Sequence, residues 1–222
     1  MSESGAAQVR WCLVVPVKPL ALAKSRLAGP RIDAATRARL ALAFAGDAVS
    51  AALAAGPVVE AVVVTDDPLV GAVLGELGAT VVPDRPDAGL NPALGFGAEV
   101  AREKFGDVGV VAMAADLPAL LTSELDFALS AVSGYRRHFI ADAQDVGTSM
   151  LFAPPGVDLD PRFGGASRLA HLTSGAVEIG AAGIGTLRRD VDTAEDLADA
   201  LRLGVGPRTS ALVPRDSATV VA

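Results

Sequence analysis

The stretch Trp11–Pro30 reads WCLVVPVKPLALAKSRLAGP, and its first residues form a continuous apolar run. A run of strand length that does not alternate with polar residues indicates a β-strand buried on both faces, as in a parallel sheet. Two of the three lysines, Lys18 and Lys24, follow this run, although the chain carries sixteen arginines. Ammonium groups are compact charges that suit phosphate oxygens, so we expect a buried strand followed by a phosphate-binding loop. The alternative interpretation is a chance pairing of lysines on a solvated loop.

Similar apolar runs alternate with Ala-rich and Leu-rich segments along the chain. This βαβα order predicts an α/β fold, a three-layer sandwich in which helices cover both faces of a mostly parallel sheet. The predicted strands are Trp11–Val17, Val58–Thr65, Thr80–Pro83, Val108–Ala114, Phe139–Ala141, Ser149–Ala153 and Ala176–Ile179. The predicted helices are Asp33–Ala55, Pro68–Leu77, Pro92–Lys104 and Thr122–Val132, then one after the Gly-rich segment PRFGGAS and one that Thr193 caps.

The length of 222 residues fits one large domain, and no linker signal divides it. We expect a flexible N-terminus over residues 1–10, a single domain over residues 11–205 and a loose C-terminal tail over residues 206–222. The hydrophobic fraction is 51% but the aromatic fraction is only 4%, so Ala, Val and Leu must build the core.

Charge and composition exclude several classes of function. The net charge of −7 argues against general binding to nucleic acid or to a membrane surface. The N-terminus lacks a signal-peptide core, and no stretch approaches roughly 18 consecutive apolar residues, which predicts a cytoplasmic protein. The single cysteine, Cys12, is interpreted as a core residue. No GxxxxGK(S/T) motif occurs, and the Gly-rich segment 180–185 comes too late for a dinucleotide fingerprint, which disfavours a P-loop enzyme and an NAD-dependent oxidoreductase.

Polar side chains follow each of the first four predicted strands. Ligands of an open parallel sheet gather at the carboxyl ends of its strands, so these positions form the candidate site. Asp116 ends the apolar run VGVVAMAA, where capping of the next helix is its alternative interpretation. The other candidates are Lys18, Lys24, Ser25 and Arg26 after the first strand, Asp66 after the second, and Gly89, Leu90 and Asn91 after the third.

A second acidic position is the segment RRDVDT, residues 188–193. Asp190 and Asp192 lie two positions apart on a predicted extended segment, so both face the same side and either is a candidate ligand. Two carboxylates beside a phosphate-rich ligand are a typical setting for Mg²⁺, which keeps waters and recruits few protein ligands. We therefore expect Asp116, with Asp190 or Asp192, to hold magnesium. Glu195 is a weaker candidate, because its place in the first turn of a helix already explains it.

The two histidines, His138 and His171, show no arrangement typical of nucleophilic catalysis or of zinc binding. His171 lies four residues after Ser167 on the same predicted helix face, where it could support the site. A structural role is favoured for both histidines.

The strand-end motifs, in this order, resemble those of the 2-phospho-L-lactate guanylyltransferase family, and in particular its actinobacterial phosphoenolpyruvate guanylyltransferase branch, which serves deazaflavin coenzyme (coenzyme F420) synthesis. The motif ADLP alone is shared with many nucleotidyltransferases, whereas the full set of motifs in this order is much more specific to the family. The resemblance implies a nucleotide-diphospho-sugar transferase (Rossmann-like) fold. The matching segments, from Trp11 to about Leu203, are PVKPLALAKSRL, TDD, GLNPAL, ADLPAL, DVGTSML, FGGAS and DVDTAEDL.

The resemblance also implies roles for single residues. Lys18, Lys24 and Arg26, with Ser25 beside them, would bind and neutralise the triphosphate of GTP. Asp116, with Asp190 or Asp192, would hold Mg²⁺, as one ion or two. Near the base and ribose of the nucleotide would lie Asp66, Gly89, Leu90 and Asn91. The carboxylate or phosphate of the acceptor would be bound by Thr148, Gly164 and Ser167.

The implied reaction is attack by the phosphate of phosphoenolpyruvate on the α-phosphorus of GTP, which yields enolpyruvoyl-2-diphospho-5'-guanosine and pyrophosphate. The nucleophile is already an anion, so positioning and charge neutralisation suffice without a general base. 2-Phospho-L-lactate is the alternative acceptor, and a downstream transferase would receive the product. A relative of the molybdopterin guanylyl- or cytidylyltransferases is another enzyme hypothesis, and a non-catalytic GTP-binding regulator is a hypothesis of a different class.

Overall fold

The computed structural model describes residues 9–27, 32–85 and 87–213. The strands in these ranges are β1 (Trp11–Pro16), β2 (Val58–Val64), β3 (Thr80–Val82), β4 (Gly109–Met113), β5 (His138–Ala141), β6 (Thr148–Ala153) and β7 (Val177–Glu178). The α-helices are α1 (Ala34–Leu53), α2 (Pro68–Glu76), α3 (Leu90–Phe105), α4 (Thr122–Ala131), α5 (Ser167–Thr173), α6 (Ala194–Leu203) and α7 (Pro207–Leu212).

The strands form one mostly parallel sheet, as the sequence predicted, and their order in it is β3-β2-β1-β4-β6-β5-β7. Only β6 runs antiparallel to its neighbours, β4 and β5, within the described residues. Asp33 caps α1, because its carboxylate accepts the backbone N–H of Thr36 at 2.8 Å. Helix α3 begins two residues earlier than predicted, since Gly89 adopts a φ of 105° and turns the chain into the helix.

Alternate residues of the central strand β1 face opposite layers of helices. Leu13 and Val15 belong to a core cluster with side chains of α1, α2 and α4, whereas Cys12 and Val14 belong to a cluster with α3. All four residues are fully buried, which explains why the strand shows no alternation of polar residues. Burial raises the pKa of the Cys12 thiol to about 12, so this residue is part of the core, as interpreted from the sequence.

Helix α3 packs very closely on β1 at Gly97. A Cβ atom at this position would lie 2.4 Å from Val14 Cγ1 and 3.0 Å from Val64 Cγ2. The glycine therefore allows a close approach of helix and sheet, which sets how near the start of α3 lies to the carboxyl end of β1.

The segment RRDVDT is not a strand, which corrects the sequence prediction. The backbone N–H groups of Asp192 and Thr193 both donate to the carboxylate of Asp196, at 3.2 and 2.8 Å, so they cannot join a sheet ladder. Thr193 is nevertheless the N-cap of α6, in a reciprocal capping box with Asp196. The helix was thus predicted correctly, and the extended element before it was not.

The prediction of a loose tail from residue 206 is wrong for residues 207–212, which form α7. Asp47 of α1 is only 4% exposed, and its carboxylate accepts the backbone N–H groups of Arg208 and Thr209 at 3.0 and 2.8 Å. A buried carboxylate needs such donors, so α7 is docked on α1. The rest of the predicted tail, residues 214–222, and residues 1–8 of the predicted N-terminus lie outside the described residues.

No helix in the described ranges combines the length and the apolar character needed to cross a membrane.

Candidate active site

A cleft of about 580 Å³ lies at the carboxyl ends of β1 and β4. These two strands are neighbours, and the strand order reverses between them, which is where open α/β sheets usually bind ligands. A second depression of about 470 Å³ lies at the opposite edge of the sheet beside Trp11 and Pro57. Its lining holds one charged residue, Asp126, and none of the predicted site residues, so the first cleft is the candidate site. The predicted residues that line it are Lys18, Lys24, Ser25, Arg26, Leu90, Asp116, Gly164 and Asp192.

Lys24 lies between two carboxylates that are distant in sequence. Its Nζ atom contacts Asp116 Oδ2 and lies 2.9 Å from Asp192 Oδ1. Burial alone would lower the pKa of Lys24, but the two carboxylates outweigh it and raise this pKa above its ordinary value. Lys24 also has a φ of 53°, a conformation that side-chain-bearing residues seldom adopt. The ion pairs therefore hold an otherwise unfavourable backbone geometry at the mouth of the cleft.

The other cations at the cleft are more exposed than Lys24. The side chain of Arg26 is 77% exposed, and its Nη1 lies 3.7 Å from Asp192 Oδ2. Lys18 is exposed and lines the cleft on the same side. These three cations form one face, which we call the cationic wall (Lys18, Lys24 and Arg26). Exposed ion pairs are weak, so Arg26 can change partners at little cost.

Asp190 differs from Asp192, although the two lie two positions apart. Its Oδ1 atom is buried and has no hydrogen-bond partner among the described residues. Burial is the main cause that raises the pKa of Asp190 to about 7, and the carboxylates of Asp116, Asp192 and Asp142 add to it. The intervening Val191 donates its backbone N–H to the carbonyl of Asp116 at 3.0 Å, which holds this segment against the end of β4.

The chemistry of these acidic side chains fits a divalent cation that needs few protein ligands. Asp116 and Asp192 converge on one positive charge, and Asp190 adds an unpartnered buried carboxylate oxygen beside them. Oxygen ligands of this kind suit Mg²⁺, which keeps much of its coordination for water and phosphate. No group of three His, Cys, Asp or Glu side chains in the described part of the chain is itself arranged as a metal site.

Asn91, which was predicted at the nucleotide, uses both of its polar atoms inside the protein. Its Nδ2 donates to the carbonyl of Phe163 at 3.0 Å, and its Oδ1 accepts the N–H of the same residue at 2.8 Å. Phe163 and Gly164 also line the cleft, and we call them the neutral wall (Phe163 and Gly164). Asn91 therefore supports this wall from α3, rather than lining the cleft itself.

Thr148 and Ser167, which were predicted at the acceptor, lie behind the neutral wall. The Oγ1 of Thr148 is 2.9 Å from Nδ1 of His171, and Ser167 is only 2% exposed at the start of α5. Gly164 itself has a φ of 108°, a conformation that favours glycine, and it faces the cleft. Of these three residues, Gly164 lines the cleft, Thr148 is half-buried at the start of β6, and Ser167 is buried.

Asp66 and Gly89 also lie outside the cleft lining. Asp66 Oδ1 accepts the backbone N–H of Asp84 at 3.2 Å and so joins the segments that follow β2 and β3. Gly89 is the N-cap of α3, immediately before Leu90, whose side chain does line the cleft.

Two features of the site were missed by sequence reasoning. Phe163 and Leu22 add apolar surface to the cleft, and Leu22 is 72% exposed. Arg188 binds the carbonyls of Ala141 and Asp142, at 3.1 and 2.6 Å, and so fixes the turn before Thr148. A large exposed leucine next to a lysine pair was a signal for the first feature. The second depends on a contact across 46 residues, which no local pattern reveals.

Comparison with known families gives one match that covers most of the chain. The model of the family described as guanylyl transferase CofC like matches residues 11–213. This is the family to which the strand-end motifs pointed.

Curated relatives match over nearly their whole length. A phosphoenolpyruvate guanylyltransferase from Thermomonospora curvata is 54% identical, over 94% of this chain and 91% of that protein. A phosphoenolpyruvate guanylyltransferase from Streptomyces avermitilis is 51% identical, over 93% of this chain and 95% of that protein. Among solved structures, a protein from Desulfovibrio desulfuricans assigned to the nucleotide-diphospho-sugar transferases superposes with a TM-score of 0.60 at 15% identity, over 84% of each chain. This likeness confirms the predicted fold class.

Proposed function

The chain belongs to the guanylyl transferase CofC-like family, and from this premise we propose that it joins the GMP moiety of GTP to the phosphate of phosphoenolpyruvate. The observation that carries the proposal is the cleft where Lys24 contacts both Asp116 and Asp192, with Lys18 and Arg26 beside it. Cations next to convergent carboxylates suit a polyphosphate that arrives with a metal ion. Relatives more than 50% identical that bear this activity in their names support the choice of acceptor.

In the proposed reaction, an oxygen of the acceptor phosphate attacks the α-phosphorus of GTP. A new P–O bond forms as the bond to the β-phosphate oxygen breaks, and pyrophosphate leaves with the electron pair. The attacking oxygen is already anionic, so no side chain has to remove a proton. Lys18, Lys24 and Arg26 act by neutralising the triphosphate and the leaving pyrophosphate, and by holding them for in-line attack.

The metal assignment extends this proposal to the carboxylates. Asp116 and Asp192 would hold Mg²⁺, and the unpartnered oxygen of Asp190 makes it a third candidate ligand. When bound, the ion would neutralise charge on the phosphates and orient them. Lys24 shares its two carboxylates with that ion, so its ammonium would turn toward phosphate when the ion binds. The participation of one or two such ions stays a prediction.

The acceptor would bind at the neutral wall. Gly164 offers backbone at the cleft, and Thr148 and Ser167 supply hydroxyl groups behind it. Asp66 and Gly89 remain proposed for the base and ribose. Asn91 is proposed in a different role from the one its motif implied, because it is engaged with Phe163.

The test is pyrophosphate release by the purified chain with GTP, Mg²⁺ and each acceptor separately. We expect release with phosphoenolpyruvate at a kcat/KM well above that with 2-phospho-L-lactate. Preference for 2-phospho-L-lactate would overturn the choice of acceptor but keep the reaction. Release with another nucleotide and a molybdopterin acceptor would favour the other transferase hypothesis. GTP binding without release with any acceptor would favour a regulator.

Two further expectations accompany this function. A cytoplasmic location and a downstream transferase that receives the product stay predictions.

A further inference from the structure

A histidine behind the neutral wall has both ring nitrogens engaged. His171 has no exposed surface and packs between the rings of Phe139 and Phe163, at centroid distances of 5.6 and 5.3 Å. Its Nδ1 lies 2.9 Å from Thr148 Oγ1, and its Nε2 lies 3.1 Å from the backbone N of Arg162. The ring therefore connects β6 to the turn that precedes Phe163 and Gly164.

The direction of these hydrogen bonds follows from simple chemistry. A backbone N–H can only donate, so Nε2 accepts from Arg162 and carries no proton. In a neutral imidazole the proton then resides on Nδ1, which donates to Thr148 Oγ1. Burial and the Arg137 and Arg162 cations lower the pKa of His171 to about 4, against an opposing effect of Asp160, so the ring is neutral at pH 7.

The hydroxyl of Thr148 is consequently left with its own proton to donate. Within the described residues, this hydroxyl has no hydrogen-bond partner other than His171. The next residue, Ser149, accepts the backbone N–H of Ala114 at 3.1 Å. Thr148 thus begins β6 at the edge of the sheet where β4 leads into Asp116. A hydroxyl that must donate, at this edge, suits an anionic oxygen.

We propose that His171 is a positioning residue for the acceptor substrate, a small molecule with a carboxylate and a phosphate. It fixes the Thr148 hydroxyl as a donor to an acceptor oxygen, and through the N–H of Arg162 it holds the turn that brings Gly164 to the cleft. The inference rests on the proposed function, because it assigns the acceptor to Thr148 and Gly164.

Two substitutions separate the two hydrogen bonds. His171→Asn places an amide N–H near the position of Nδ1 and can still donate to Thr148, but it loses the bond to Arg162. His171→Gln places a carbonyl near the position of Nε2 and can still accept from Arg162, but it leaves Thr148 without its donor. We expect His171→Gln to raise the KM for phosphoenolpyruvate by roughly tenfold to a hundredfold. The Thr148 hydroxyl would no longer be directed at the anionic acceptor oxygen, and a hydrogen bond to a charged group has about this effect. The KM for GTP should stay within about twofold in both variants, because the triphosphate lies at the cationic wall.

Thr148→Val distinguishes an action of His171 through the Thr148 hydroxyl from a merely structural role of His171. If His171 acts through the Thr148 hydroxyl, His171→Gln should raise the acceptor KM much less in a Thr148→Val background than in the parent. Thr148→Ser retains the hydroxyl and should keep an acceptor KM within about threefold of the parent. Additive effects of His171→Gln and Thr148→Val would overturn the proposal. His138→Gln, at the other buried histidine, is the matched control and should leave both KM values unchanged.

A spectroscopic measurement is independent of any activity. Two-bond ¹⁵N–¹H correlation spectra of the full chain at pH 7 should show His171 as the Nδ1–H tautomer. The Nε2–H tautomer, or an imidazolium, would overturn the inference even if pyrophosphate release with phosphoenolpyruvate is observed. Conversely, an Nδ1–H tautomer in a chain that releases no pyrophosphate with any acceptor would mean that the proposed function has failed and not the hydrogen-bond assignment.

Discussion

The cationic wall and the neutral wall line the same cleft, but different forces hold them. Lys24 and Arg26 are held by ion pairs that are partly open to solvent, with 47% of the Asp192 side chain exposed. Phe163 of the neutral wall is held by two hydrogen bonds to Asn91, and the adjoining Arg162 by one to the buried ring of His171. The exposed ion pair of Arg26 with Asp192 can exchange partners easily, whereas a hydrogen bond to the fully buried ring of His171 is costly to break.

This difference teaches how one cleft can receive two anionic substrates. A wall of exchangeable charges suits a triphosphate, whose charge is large and whose shape is shared by all nucleotides. A wall of fixed hydrogen bonds suits a small acceptor, which the protein must distinguish from similar molecules by its shape and by the positions of hydrogen-bond donors in the site. The comparison therefore predicts that changes to the cationic wall act through charge and GTP, and that changes to the neutral wall act through geometry and the acceptor.

The largest effect is expected at the carboxylate that faces the cationic wall. Asp116→Ala should lower the rate of pyrophosphate release by about a thousandfold or more, since charge stabilisation in a partly buried site dominates such reactions. The fold should persist, because the Asp116 side chain is bonded to Lys24 rather than to the core. Asp107→Ala makes the same charge change at the opposite end of β4 and should leave the rate unaltered. Near-normal release by Asp116→Ala would remove this residue from the metal assignment.

The next effect should come from Lys24. Lys24→Met removes the charge but keeps the apolar stem, and we expect kcat/KM for GTP to fall by about a hundredfold. The control is Lys104→Met, at the only lysine outside the cleft, on the exposed face of α3. Steady-state kinetics with GTP as the varied substrate give the answer. Equal values of kcat/KM for GTP in Lys24→Met and Lys104→Met would mean that Lys24 does not face phosphate.

Sequence reasoning recovered the cationic wall and Gly164 of the neutral wall, but not the contacts that hold the neutral wall, and the reason is physical. Lys24 and Asp116 follow continuous apolar strands, and charged residues at such ends have few structural explanations, so position alone marks them. The bonds of Asn91 to Phe163 and of His171 to Thr148 join residues 72 and 23 positions apart. Such pairings depend on how α3 and α5 dock, and no periodicity encodes them. Asn91 is the only asparagine in the chain, a signal that it has a particular role but not which one.

The neutral wall is supported from α3 through Asn91, and the packing of α3 on β1 gives the next prediction. Gly97→Ala should lower the free energy of unfolding by up to about 3 kcal/mol, because its Cβ would overlap Val14 in a close-packed core. Gly95→Ala, on the same helix, meets nothing within 4 Å and should be neutral or stabilising by up to about 1 kcal/mol. Urea unfolding of both variants measures the difference. Equal stabilities would show that α3 is free to shift on the sheet.

The smallest effect concerns the pH dependence of the free energy of unfolding, through His171 beside the neutral wall. The lowered pKa of His171, about 4, means that the unfolded chain binds a proton at higher pH than the folded chain does. Stability should therefore decrease as the pH falls below about 6.5, by about 2 kcal/mol between pH 7 and pH 5. The charged groups that act on the ring are Arg137, Arg162 and Asp160. His171→Asn should lack this part of the acid sensitivity while other titrating groups cancel in the comparison. A parent and a variant with parallel pH profiles would show that the ring is not held neutral.

The separation of the two walls is tested most directly by the equilibrium affinity for GTP with Mg²⁺ and without acceptor. Calorimetric titration of the parent, Lys24→Met and His171→Gln gives three dissociation constants under identical conditions. We predict that Lys24→Met binds GTP roughly tenfold or more weakly, and that His171→Gln stays within about twofold of the parent. A loss in His171→Gln as large as that in Lys24→Met would contradict the assignment of the triphosphate to the cationic wall and of the acceptor to the neutral wall.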